Sequence, residues 1–328
     1  MTTAKRIPLT VIGGFLGAGK TTLLNRLLRE SHGRRFAVLV NDFGALNIDA
    51  ELVASNAGDA VALTNGCICC SIGDDLSAAL IRVLASSRPF DAVVIEASGV
   101  SDPWRIAQIG LAAPELSLDG VIVLVDASAV LDQSRDPLLA DSLQRQLKAA
   151  DLIVINKTDL ADEHERLRVR EWITTVVGAS PTFETAQAVV PLPLLSGIAL
   201  TGSTPTQWAE PGCDHADHER LPGEVRPDQP EVAHQHAEMF ETWACRPAHA
   251  LSAQALRVAL KNMPAGVLRL KGIVRTDEHG WSELQFSGRH GSLRRATAAP
   301  TGGAAVVAIG LQHRLPRSVL DTLFASSV

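Results

Sequence analysis

Apolar residues along this chain gather into short, β-branched runs separated by stretches with helical spacing. Residues 7–12 (IPLTVI), 36–40 (FAVLV), 61–64 (VALT), 91–95 (DAVVI), 121–125 (VIVLV) and 152–155 (LIVI) each read as a buried strand. Between them, Leu23, Leu24, Leu27 and Leu28 recur on one helical face, and Leu76, Leu80, Val83 and Leu84 on another. Near-continuous apolar strands alternating with amphipathic helices predict an α/β fold. Its sheet is expected to be mostly parallel, covered by helices on both faces, with ligands at the C-terminal ends of the strands.

The alternation lapses after Gly197. Residues 201–236 are rich in Pro, Gly, Asp, Glu and His without apolar periodicity, which reads as a linker. It carries Cys213, His215, His218, His234 and His236, which suit either a loose zinc site or a solvated tether. Order returns near Glu238. Residues 239–245, 267–274, 281–286 and 304–309 read as strands, and residues 253–263 and 316–324 as helices, making a small α+β domain. The predicted organisation is 1–200, 201–236 and 237–328. The basic residues of the last segment, Arg269, Lys271, Arg275, Arg289, Arg294 and Arg295, are expected on solvated faces.

The chemistry concentrates at strand ends. After the first strand, GGFLGAGKTT places Gly14, Gly19, Lys20 and Thr21 at every fixed position of G-x-x-x-x-G-K-[ST]. Glycines there let N–H groups turn inward around phosphates, and the helix N-terminus adds partial positive charge. Gly17, Ala18 and Thr22 complete the phosphate-facing stretch. Lys20 is assigned to the β- and γ-phosphates and the Thr21 hydroxyl to Mg²⁺. The first sheet is therefore expected to be a P-loop NTPase sheet. The second strand delivers Asn41-Asp42-Phe43-Gly44 and, soon after, Asp49. Asp42 is the candidate metal ligand of that loop and Asp49 its candidate catalytic carboxylate, with turn and cap roles as the alternative for each.

Residues 61–64 lead through the Asn65-Gly66 turn into Cys67-Ile68-Cys69-Cys70. A local turn after Cys69 lets all three thiols converge on one ion, and a helix N-terminus just beyond favours the thiolate form. Three soft ligands suit Zn²⁺ or Cu⁺. Glu96 ends the next strand, where a Walker-B-type carboxylate sits, and Gly99 permits close approach to a γ-phosphate. Asp126 ends the following one, either behind the site or as the start of a turn. Asn156-Lys157-Thr158-Asp159 closes the 152–155 strand as N-K-x-D. An aspartate there accepts from guanine N1–H and the 2-amino group together, and adenine has a donor at neither place. Asn156 is expected at the base edge and the Lys157 stem over the ring.

Composition narrows the field. The chain has 328 residues, 46% of them hydrophobic, and a net charge of −6, so nothing electrostatic favours a nucleic-acid partner. No apolar stretch approaches the roughly 20 residues a membrane helix needs, and a cleaved signal at the N-terminus would remove the P-loop strand, so a cytoplasmic protein is expected. Five cysteines, three of them within four positions, favour metal or redox chemistry over a disulfide framework.

With GGFLGAGKTT, NGCICC, EASG, NKTD and RLKGI in that order, the chain resembles the CobW-type P-loop GTPases, metallochaperone relatives of the nickel-inserting GTPases for urease and hydrogenase. The resemblance implies GTP hydrolysis coupled to delivery of a transition metal held at Cys67, Cys69 and Cys70. It implies GTP as the nucleotide and a client metalloprotein; the P-loop adds Mg²⁺, the thiolate ligands favour zinc with cobalt or iron as alternatives, and a nucleotide-dependent homodimer is a further expectation. The family's N-E-x-G loop matches Asn41-Asp42-Phe43-Gly44 with Asp in place of Glu, and Asn47 stands where members often carry Gly. Two other readings stay open: a GTP-binding metal buffer without productive turnover, and an activator of one specific cobalt or iron enzyme.

Overall fold

The computed structural model describes residues 6–30, 34–40, 61–64, 72–178, 180–195, 240–264, 266–288, 290–296, 299–300 and 303–325. The Asp42 and Asp49 loop, Cys67, Cys69 and Cys70, and the His-bearing segment all lie outside them.

Seven strands form the first sheet: β1 (Ile7–Gly14), β2 (Phe36–Val40), β3 (Val61–Thr64), β4 (Ala92–Glu96), β5 (Leu116–Asp126), β6 (Leu152–Asn156) and β7 (Thr182–Glu184). Their order is β3-β2-β4-β1-β5-β6-β7, and every pairing is parallel. Because side chains alternate across a strand, each strand feeds two cores. Val11, Leu39, Val93, Val123 and Ile153 point to one face. There they meet α2 (Ile72–Leu84), α3 (Pro103–Ala112), α5 (Ala140–Ala149) and α6 (Glu163–Val177), which follow and precede α4 (Val130–Gln133) in chain order. Ile12, Val38, Val94, Leu124 and Val154 point to the other face, against α1 (Lys20–Glu30) and α7 (Leu192–Leu195). Helix α3 starts where Asp102 caps it by accepting from Trp104 N, with Pro103 in the first turn. Helix α6 opens on a reciprocal capping box between Asp162 and Glu165.

The second sheet is antiparallel, with order β11-β10-β9-β12-β8. It comprises β8 (Phe240–Cys245), β9 (Val267–Thr276), β10 (Gly280–Ser287), β11 (His290–Arg295) and β12 (Ala305–Leu311). Helices α8 (Ala253–Lys261) and α9 (Arg317–Ala325) cover its inner face, where Leu256, Leu260, Leu320 and Phe324 meet Trp243, Leu270 and Phe286.

The two sheets meet along the early part of β5. A register shift opposite Leu9 and Thr10 makes Asp119 the extra residue of a bulge, which re-aims its side chain. Asp119 is fully buried and pairs with Arg269 and, at 2.6 Å, with Lys271. Gln285 donates to Asp119 Oδ1 at 3.2 Å and to Leu118 O at 2.9 Å. His290 lies 2.6 Å from Asp151 Oδ1 and stacks on Trp104 with centroids 4.9 Å apart. Arg269 and Lys271 therefore correct the expectation of a solvated basic face: that face of β9 is packed against the first sheet. Arg275, at the far end of β9, and Arg294 and Arg295, on the edge strand β11, are exposed as expected, and Arg289 lies outside the described residues. Among the described residues no helix is long and apolar enough to cross a membrane.

Candidate functional site

All described site residues gather at the C-terminal edge of the parallel sheet. Strand β1 ends at Gly14, the chain turns through Phe15 to Gly19, and α1 begins at Lys20. Leu16 and Gly17 are exposed at the tip, whereas Ala18 and Lys20 are buried. Gly19 has φ +103°, and a Cβ on it would meet Asn156 Nδ2 at 2.4 Å. Glycine is thus required there by both backbone and neighbour.

Lys20 Nζ donates to Phe15 O at 3.2 Å, which folds the lysine back along the loop it is expected to serve. Thr21 Oγ1 donates to Glu96 Oε1 at 3.1 Å. Glu96 is buried at the tip of β4. The hydroxyl assigned to Mg²⁺ and the Walker-B-type carboxylate, 75 positions apart in sequence, are therefore neighbours. Paired hard oxygens beside a phosphate loop fit Mg²⁺, which takes one or two protein oxygens and keeps its remaining positions for water and phosphate. Beyond Glu96 the chain turns through Ala97, Ser98 and Gly99. The Ser98 and Ser101 hydroxyls lie 2.5 Å apart, and a Cβ on Gly99 would meet Leu16 N at 2.8 Å.

The base side is built by β6 and the turn after it. Asn156 Nδ2 donates to Ala18 O at 2.9 Å, and its Oδ1 accepts from Ala188 N at 2.8 Å. Its amide thus clamps three loops together. Lys157 adopts φ +61°, and its Nζ is held 2.7 Å from Asp126 Oδ2. Asp126 also accepts from Ser128 N and Oγ, so it is a partner of the N-K-x-D lysine as well as a turn residue. Asp159 begins the exposed side of a short 3₁₀ turn, Thr158–Leu160, open to a ligand.

Two contributors escaped the sequence reading. The turn after β7 places Gln187 and Ala188 in consecutive left-handed conformations, which brings the Ala188 amide to Asn156. Gln146, buried on α5, accepts from Gly14 N at 3.0 Å and donates to Gly99 O at 2.9 Å. Neither carries a spacing signature. Asp42, Asp49, Cys67, Cys69 and Cys70 lie outside the described residues, and among the described residues no group of three metal-ligating side chains converges.

A parallel sheet that gathers the G-x-x-x-x-G-K-T loop, the Thr21–Glu96 hydroxyl–carboxylate pair and the exposed Asp159 on one edge has the layout of a P-loop nucleotide-binding protein. The chain belongs to the CobW/HypB/UreG family. Residues 8–184 match that family's nucleotide-binding domain, and residues 240–327 match the cobalamin synthesis protein CobW C-terminal domain. It is 39% identical over 197 residues to zinc chaperone YjiA of Escherichia coli (strain K12), covering 58% of this chain and 60% of that protein. Over 237 residues it is 34% identical to zinc chaperone CobW of Sinorhizobium sp, covering 61% and 66%. Zinc-regulated GTPase metalloprotein activator 1 of Dictyostelium discoideum is 31% identical over 226 residues, covering 57% and 47%. The chain thus spans about 60% of the length of the first of these curated relatives. Among solved structures, Zn(II)-bound YjiA GTPase from E. coli aligns over 98% of both chains at 24% identity and TM-score 0.45.

Proposed function

We propose that this protein is a GTP-hydrolysing metallochaperone that binds zinc through Cys67, Cys69 and Cys70 and passes it to a client metalloprotein under control of the bound nucleotide. The observation that carries the reading is the Asn156 amide bonded to Ala18 O, which fastens the base reader to the phosphate loop. That bond supports a site built for one nucleotide in one register, with Asp159 selecting guanine by its two donors. Mg²⁺ held by Thr21 and Glu96 supplies charge neutralisation at the β- and γ-phosphates. Lys20 and the loop amides stabilise the developing charge, and the loop from Glu96 to Gly99 senses the γ-phosphate.

The metal half rests on the chemistry of C-x-C-C and on its place in the chain. Three thiolates in four positions favour a soft or borderline cation. They fall between β3 and α2, in the segment that joins the nucleotide edge to the helix layer. The zinc chaperone names carried by relatives favour zinc over cobalt or iron. A client metalloprotein, a nucleotide-dependent homodimer and a cytoplasmic setting complete the reading, as does the division 1–200, 201–236 and 237–328.

The test is the coupling between cargo and nucleotide. Zinc affinity is measured by competition with a chromophoric chelator in the presence of Mg-GDP and of a Mg-bound, non-hydrolysable GTP analogue. A roughly 5- to 150-fold difference is expected, tighter with the GTP analogue, and zinc must shift the nucleotide preference by the same factor. The Cys67→Ser, Cys69→Ser, Cys70→Ser triple variant keeps nucleotide binding and loses the shift. Equal zinc affinities in both states, or no phosphate release from Mg-GTP by the zinc-loaded protein, refute the chaperone reading.

A further inference from the structure

Gln146 sits on the buried face of α5 between Leu143 and Leu147, all three shielded from solvent. A leucine would fill such a helix face without a polar group to satisfy, so an amide there needs partners that justify its burial. Its two partners are main-chain atoms from loops 132 and 47 positions away in sequence. Oε1 accepts from Gly14 N at 3.0 Å, and Nε2 donates to Gly99 O at 2.9 Å. Gly14 leads into the phosphate loop, and Gly99 lies within the Ser98–Ser101 turn that follows Glu96.

A second contact joins the same two loops from the other side. Gly99 lies so close to Leu16 that a Cβ would approach the Leu16 side chain at 2.7 Å and its N at 2.8 Å. The turn after β4 is thus gripped twice: by van der Waals contact with the tip of the phosphate loop, and by an amide bridge to its base. Holding the Gly99 carbonyl restricts the dihedrals through which this turn would swing. Phosphoryl transfer depends on donors fixed within a few tenths of an ångström of where charge develops. In the reading above, the γ-phosphate is the one group that the P-loop and the Gly99 end of this turn would contact together, and a diphosphate lacks it.

We infer that Gln146 is a positioning residue that sets the Gly99 turn against the phosphate loop, so that the site discriminates a nucleoside triphosphate from its diphosphate. It touches no reacting atom; it acts through the backbone of Gly14 and Gly99. This rests on the nucleotide-hydrolysing reading above and adds to it the residue that ties its two phosphate-contacting loops.

The variants are Gln146→Met, which keeps length and packing while removing both hydrogen bonds, and Gln146→Asn, which keeps the amide one methylene too short to span both loops. For each, full-length protein is titrated with fluorescent GDP and with a fluorescent non-hydrolysable GTP analogue, both with Mg²⁺, and kcat and KM for GTP are measured. GDP affinity is expected to stay within about twofold of wild type, while preference for the triphosphate analogue falls about tenfold and kcat falls by at least as much. A merely structural glutamine would weaken both nucleotides alike, so parallel losses, or an unchanged triphosphate-to-diphosphate ratio in either folded variant, overturn the inference. Wild-type protein that binds the analogue but releases no phosphate sinks the hydrolysis reading, and the affinity ratio still decides the role of Gln146. Wild-type protein that prefers adenine nucleotides sinks the guanine reading, and the ratio is then taken between ADP and an ATP analogue.

Discussion

Removing the carboxylate of Asp119 is expected to destabilise the protein more than any other single change at the seam between its sheets. Asp119 is fully buried and faces two cations, Arg269 and Lys271, as well as the Gln285 amide. Arg269 is itself buried, its other hydrogen bonds running to Asp119 O and Leu194 O. Asp119→Ala leaves two buried cations facing each other with no anion between them. Breaking a buried ion pair from one side typically costs about 3–5 kcal/mol, because the surviving charge loses its compensation without regaining water. Against a total stability of about 5–15 kcal/mol, that loss is large.

Lys271→Met supplies the contrast. It leaves Asp119 paired with Arg269 and removes an ammonium whose pKa is held below its ordinary 10.5, chiefly by burial, although Asp119 pulls the other way. Its expected effect lies within about 1 kcal/mol of wild type. The sign of the pH dependence follows from the lowered pKa. The unfolded chain binds more protons at Lys271 than the folded one, so its contribution improves as pH rises from the lowered folded value towards 10.5. Below that window the cost of the buried charge is carried in full, and Lys271→Met flattens this part of the slope. Urea unfolding followed by tryptophan fluorescence reads both sheets, since Trp104 and Trp172 lie beside the first and Trp243 and Trp281 belong to the second. A loss below about 1 kcal/mol for Asp119→Ala, or equal losses for Asp119→Ala and Lys271→Met, would refute the charge argument.

Lys20→Ala should abolish phosphate release while leaving the thermal midpoint nearly unchanged, because the ammonium, which donates to Phe15 O within its own loop, serves ligand charge rather than the core; a variant with wild-type turnover sinks that role. Asp159→Asn should weaken GTP binding by about 2–4 kcal/mol and narrow the GTP-over-ATP preference, read by isothermal titration, since guanine loses its double acceptor. Equal GTP and ATP affinities in the unaltered protein would end the guanine assignment.

The nucleotide edge was legible because phosphate chemistry imposes spacing on sequence. Gly14, Gly19, Lys20 and Thr21 are fixed by the reach of a loop around an anion, and the apolar runs on either side mark the strands and helix that hold it. The seam was not legible for a physical reason. Serine, aspartate and glycine at 117–120 read as the approach to a strand, yet β5 already begins at Leu116 and bulges at Asp119. Arg269 and Lys271 alternate with apolar residues as on any half-exposed strand; only the partner sheet, 150 positions earlier for Asp119, makes their face an interior one. Strand β11, His290–Arg295, escaped because an edge strand carrying charge and glycine lacks apolar alternation. Gln146 escaped because one amide in an amphipathic helix has no pattern of its own.

The strand order also dictates how the chain assembles as it is made. Strand β1 finds its neighbours only in β4 and β5, and its Leu9 pairs with Val93 and Leu118. At about 5–20 residues per second, the first strand emerges from a ribosome roughly 5–20 s before its later neighbour exists. For that interval a run of β-branched residues has no partner within reach, which is the condition under which nascent chains aggregate or recruit holding factors. The phosphate loop is therefore synthesised well before the strands that give it its shape.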